Sequence, residues 1–189
     1  MPSFFFSTLR KFSRDTAAIA AVEFALVLPF LLILLIGVAE TTSALNHDRK
    51  VTQIAGSVSD LVAQAEQISV AEMQDIMLAA ERIIEPYDTS RLSVTVASIT
   101  FDEDGNPEVD WSVDKDGNSP WAEGEDPAID FPETIAVPGT SVILGSTSYT
   151  YVPTFASLLQ NLFPRATSIN LTDQYFLHPR LTTKVLYPG

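Results

Sequence analysis

Two acidic runs of the same pattern are the first candidates for chemistry. Asp102-Glu103-Asp104-Gly105-Asn106 and Asp114-Lys115-Asp116-Gly117-Asn118 each gather oxygen-bearing side chains around a glycine. Calcium takes about six to eight such oxygens. The candidate ligands would be Asp102, Asp104, Asn106, Asp114, Asp116 and Asn118. Neither run fits an EF-hand loop, which ends on a bidentate Glu at its twelfth position. Counted from Asp102 that position is Val113; counted from Asp114 it is Glu125, but Ser119 stands where the invariant Gly belongs. Asp and Asn beside Gly are also what tight turns need, and turns are the preferred reading.

Other chemistry finds little support. The chain has no cysteine, which removes disulfides, thiolate nucleophiles and sulfur-ligated metals. His47 and His178 lie far apart and read as ordinary surface or turn residues. Neither a Gly-x-Ser-x-Gly elbow nor a His-Glu-x-x-His pair occurs, and the glycines are too dispersed for a phosphate loop. No catalytic residue, cofactor or metal is assigned. The net charge is −13, and twelve carboxylates face one base between Asp102 and Glu133. Such a surface repels phosphates, so nucleic acid is not an expected partner.

The most informative acid is Glu23. It is the only charge between Ala17 and Ala39, a run whose core is Phe24 to Ala39. About 23 residues at roughly 1.5 Å each make a helix near 34 Å, enough to cross a bilayer. Pro29 and Gly37 are tolerated in such helices. An acid there costs up to roughly 3 kcal/mol at the bilayer centre and less near the edge. Two readings stay open for it: a carboxylate seeking a partner, or an interfacial acid stabilised by the helix N-terminus. Arg10, Lys11 and Arg14 precede the run, while Glu40, Asp48, Arg49 and Lys50 follow it. The positive-inside rule then places the N-terminus in the cytoplasm and the rest outside. The alternative is a secretory signal cleaved at Thr42-Ser43-Ala44, but the run is longer than the usual signal core.

The stretch from Phe12 to Leu26, FSRDTAAIAAVEFAL, resembles the N-terminus of TadE/TadG-like pilus assembly proteins. These show a basic leader, a small residue, four small or apolar residues, then Glu-Phe or Glu-Tyr opening the apolar helix. The resemblance implies a prepilin-type signal, cut by a membrane aspartyl peptidase between Ala18 and Ile19. Glu23 would become the fifth residue of the mature chain, followed by Phe24. Its carboxylate would then pair with the freed amine of a neighbouring subunit. The family usually has Gly before the cut, where this chain has Ala18.

Downstream, Val51, Ile54, Val58, Leu61, Val62, Ala65 and Ile68 form one apolar helical face. Ser69 and Glu72 make a capping box for a second helix, with Met73, Ile76, Met77, Ala80, Ile83 and Ile84 inward and Pro86 as its stop. Strand patterns follow. Leu92, Val94 and Val96 alternate, then Ile99 and Phe101 in opposite phase, which predicts a bulge near Ala97-Ser98. Val109, Trp111 and Val113 form the partner strand of a hairpin. Residues 117–133 read as a mobile loop. Val137-Pro138-Gly139 turns into a strand that ends at Tyr149-Thr150-Tyr151-Val152-Pro153. Thr154 would cap a short helix from Phe155 to Phe163, ended by Pro164, and a last strand includes Tyr175, Phe176 and Leu177. The Trp111-Ser112 strand, the Val-Pro-Gly turn and the Tyr-x-Tyr-x-Pro strand end are also similar to that family.

The expected fold is α+β: a transmembrane helix continuing into amphipathic helices, then an antiparallel, pilin-like sheet. Its parts are a cytoplasmic leader (1–16), a membrane helix (17–39), a helical stem (40–86) and a periplasmic β-rich domain (87–189). The resemblance implies a non-enzymatic subunit of the Tad (tight adherence) type IV pilus, either a minor pseudopilin or an anchored accessory protein. It would sit in the bacterial inner membrane and support pilus biogenesis and adhesion. Expected partners are the membrane, other pilin-like subunits, the Tad machinery and a prepilin peptidase. The alternative is a membrane-anchored periplasmic binding module, for calcium or for cell-wall material.

Overall fold

The computed structural model describes residues 16–155 and 168–188. Two helices, α1 (Thr16–Ala63) and α2 (Val70–Ile84), precede a 3-10 turn at Thr89–Arg91 and four strands. These are β1 (Leu92–Phe101), β2 (Pro107–Asp114), β3 (Ser141–Tyr151) and β4 (Ile169–Leu177). They form one antiparallel sheet in the order β2-β1-β3-β4. The α+β expectation therefore holds. The chain divides into two compact units, Met1–Ser43 and Ala44–Gly189.

In the first unit α1 is apolar on every side. Phe24, Leu26, Phe30, Leu34 and Val38 are all exposed. A helix of that kind is stable only when something apolar surrounds it. Pro29 lies inside the helix, and no N–H from it reaches the Ala25 carbonyl. At the end of the apolar run, Thr41 and Thr42 turn their hydroxyls back onto the Gly37 and Val38 carbonyls at 2.8 and 2.9 Å. Those bonds hide polar groups that lipid could not satisfy.

In the second unit α1 buries His47, Val51, Ile54, Ala55, Val58 and Val62. The three- and four-residue spacing runs back to His47, so this histidine is not the surface residue predicted. It stacks on Tyr87 with ring centroids 3.6 Å apart, and Tyr149 and Tyr151 tilt against it. Leu61, assigned to the apolar face by spacing, is exposed. The helix also stops at Ala63, before Ala65 and Ile68. Its last carbonyls find donors outside the helix: Ala65 N–H bonds to Val62 O, and Arg180 N–H bonds to Ala63 O at 2.8 Å. The second donor comes from the C-terminal tail, so no local signal marks the stop.

α2 forms as predicted. Ser69 and Glu72 make both bonds of the capping box, and Met73, Met77, Ala80 and Ile84 are its buried face. Pro86 follows the last turn. Lys50 of α1 donates to the carbonyls of Ile83 and Glu85 at 2.6 Å each, placing a cation at the C-terminal end of α2.

β1 is the centre of the sheet and corrects a second expectation. Its pairing with β3 runs unbroken from Leu92↔Tyr149 to Thr100↔Ser141. No bulge breaks β1; the phase slip marks a change of buried face. Leu92, Val94 and Val96 join the helices in one core. Ala97, Ile99 and Phe101 join Val109, Val142 and Leu144 in a second core on the other face. The bulge lies on β2. Ser98 faces Trp111 while Ile99 faces Val109, which leaves Asp110 as the extra residue. Its nearly buried carboxylate accepts from Ser98 and Thr100 hydroxyls at 2.8 Å and pairs with Lys184.

The loop over 117–133 was expected to be mobile. It instead lids the second core with Trp121, Ile129 and Phe131. Phe131 meets Phe101 edge-on and Phe176 at a tilt, each at 5.3 Å. The strand containing Tyr175, Phe176 and Leu177 closes the sheet as predicted. Most of the helix predicted from Phe155 to Phe163 lies outside the described residues.

α1 crosses the sheet at Gly145. A Cβ there would sit 2.7 Å from the Ala55 carbonyl oxygen and would collide with Ser59 Oγ. Gly145→Ala should therefore lower the stability of the full-length protein in detergent by about 1–3 kcal/mol. Adding Ser59→Ala should recover only part of that loss, because the Ala55 carbonyl remains. A thermal unfolding midpoint unchanged in Gly145→Ala would disprove the close packing.

Candidate functional site

The residues singled out for sorting lie on the first turns of α1. Ile19, Glu23 and Phe24 are exposed there, with Ile19 and Glu23 one turn apart. Ala18 belongs to the same helix. Arg10, Lys11 and Arg14 lie outside the described residues. Glu23 thus stands at the head of an exposed apolar cylinder whose most apolar stretch has a mean hydropathy of 2.8. By length and composition this helix can cross a membrane.

The six acidic-turn residues fall into two separate turns flanking β2. Asp102 accepts the backbone N–H groups of Asp104 and Asn106 and the Asn106 amide, at 2.7 to 2.9 Å. Asp114 does the same for Asp116 and Asn118. Gly105 and Gly117 take φ of +84° and +83°, the left-handed conformation that each turn needs at that point. The carboxylates of Asp102 and Asp114 are thus already engaged by donors. Among the described residues no group of three or more acidic or histidine side chains is arranged to hold a metal.

These bonds set the charge state of the turns. The Asn106 amide, followed by its backbone N–H, holds Asp102 below the usual carboxylate range. At Asp114 partial burial is the largest single influence and pushes upward, but the combined donors of Asn118 and Asp116 outweigh it and the net direction is down. His47 and Lys50, by contrast, serve the core described above. Sequence reasoning missed His47, although its four-residue spacing from Val51 was a usable signal.

Fold and helix together define the class: an α+β domain preceded by one apolar helix able to cross a membrane. A family model described as TadE-like protein matches residues 18–57, so this chain carries a TadE-like segment. The matched stretch takes in Ile19, Glu23 and the core of the apolar run from Phe24 to Ala39, and ends before any of the strands. A search of curated proteins found no match, and neither did a search of solved structures.

The turns generate a pH prediction. A carboxylate held below its ordinary value stabilises the fold above about pH 4, and that stability is lost as pH falls through the folded value. Asp102→Asn with Asp114→Asn should lower the unfolding midpoint at pH 7, and the gap to the parent should close on the acid side. A gap that stays constant from pH 7 to pH 2.5 would contradict the assignment.

Proposed function

We propose that this protein is a non-enzymatic assembly component of a Tad pilus, held in a bacterial inner membrane by residues 17–39. In this reading residues 1–16 face the cytoplasm, and residues 40–86 and 87–189, the helical and β-rich parts, face the periplasm. The observation that carries it is Glu23 at the head of an exposed apolar helix, inside the TadE-like segment. A carboxylate in lipid without a partner is costly, and a neighbouring subunit's amine would offset that cost. Cutting between Ala18 and Ile19 would create such an amine, and the protein would then be a minor pseudopilin. Left uncut, it would act as an anchored accessory subunit whose helix packs against other pilin-like helices.

Intact mass of the membrane-extracted protein, with and without a prepilin peptidase, separates the two forms: loss of residues 1–18 marks the pseudopilin. Glu23→Ala should abolish or strongly reduce piliation while leaving the level of the protein unchanged. Normal pili in that mutant would remove the pairing role. The lack of cysteine makes topology easy to read. A single cysteine at Ser119 should react with a membrane-impermeant maleimide from the periplasmic side, and one at Ser3 should not. The reverse pattern would sink the whole reading.

A further inference from the structure

Beside α2 lies an open groove of about 500 Å³, bounded opposite by the second Asp-Gly turn. Met73, Met77 and Val113 form its floor, and Val70 and Leu78 stand exposed at its lip. From Val70 to Glu81 the groove follows α2 for roughly 17 Å, about three helical turns. Methionine floors adapt to many apolar shapes, and helices docking in grooves use them often.

The rim has a definite charge. Glu81, Asp114 and Asp116 line it, with Lys115 as its cation. That ammonium is already bound to Asp116 at 2.8 Å. Three carboxylates around one engaged cation leave the rim negative. The wider surface has the same sign. Residues 1–43 hold three acids and three bases, so the net charge of −13 falls entirely on the rest of the chain. A second copy would bring an equally acidic surface, and like charges disfavour that occupant.

The backbone beside the groove is not available to an added strand. Asp114 N–H is bonded to Asn118 O, and Lys115 N–H to Val94 O. Recognition there must run through side chains, and one wall is itself a helix. We propose that this groove docks a cationic amphipathic helix of a partner protein. The apolar face of that helix covers the exposed Val70 and Leu78, above the buried Met73 and Met77, and its Lys or Arg residues meet Glu81, Asp114 and Asp116. The proposal does not rest on the pilus reading.

Two of the chain's three methionines, Met73 and Met77, line the groove, which makes the test direct. The full chain, labelled at its methionine methyls, is placed in zwitterionic nanodiscs and titrated with a 14-residue Leu/Lys peptide patterned as an amphipathic helix. The Met73 and Met77 signals should shift saturably. Leu78→Ser should weaken binding about tenfold, and Glu81→Lys should weaken it and reduce its salt dependence. A scrambled peptide of the same composition should leave both signals in place. Three results would overturn the proposal. One is no shift at millimolar peptide. Another is equal shifts with the scrambled peptide, which would mean charge attraction alone. The third is shifts that follow protein concentration without peptide, which would make a second copy the occupant.

Discussion

Gly145 lets a helix backbone lie almost against a strand. Most positions on a sheet keep a helix away by the length of their side chains. Here the Ala55 carbonyl and Ser59 Oγ occupy the space that any Cβ at 145 would need. Ser59 settles its hydroxyl on Ala55 O at 2.8 Å and on Tyr175 O at 3.3 Å, so a polar group is buried without being orphaned. At Gly56 an added Cβ would meet the Tyr175 ring at 3.8 Å, an ordinary van der Waals contact, so the closeness of the crossing rests on Gly145. That crossing fixes which stripe of α1 is buried: His47, Val51, Ile54, Val58 and Val62. Lys50, on the next strip of the helix, then reaches the end of α2 and ties the two helices together.

The sheet serves two cores because its faces are covered at different ends. Helices cover one face over the first half of β1, and a long loop covers the other face over the second half. The bulge at Asp110 changes the facing of β2, so that Val109 joins the second core while Trp111 and Val113 join the first. The extra residue is a carboxylate with two hydroxyls and Lys184 around it, which makes burial of a charge tolerable. The C-terminal tail completes this side. Val185 is buried, its carbonyl takes the Trp111 indole N–H at 2.8 Å, and Leu186 bonds with the segment joining α1 to α2.

The described features that could meet a partner are surfaces. An apolar cylinder with Glu23 at its head calls for lipid or other apolar helices around it. The domain from Ala44 onward carries the entire net charge and presents one methionine-floored groove. The Asp102 and Asp114 carboxylates accept donors of their own turns, and Asp114 also lines the groove rim together with Glu81 and Asp116.

What the sequence determined by itself is what short-range physics controls. The apolar run and Glu23 were legible because membrane crossing depends on length and composition. The Ser69–Glu72 box, the Pro86 stop and both Asp-Gly turns were legible because each is closed within a few residues. The structure alone decided the rest. The phase slip in β1 could equally be a bulge or a change of buried face, and only the pairing with β3 and the position of the loop distinguish them. The spacing from Val51 could place His47 on the buried stripe, but its partners Tyr87, Tyr149 and Tyr151 come together only in the fold. The end of α1 depended on Arg180, more than a hundred residues further along the chain. Local sequence specifies the groups a segment can satisfy by itself; which distant groups satisfy the remainder is settled by packing.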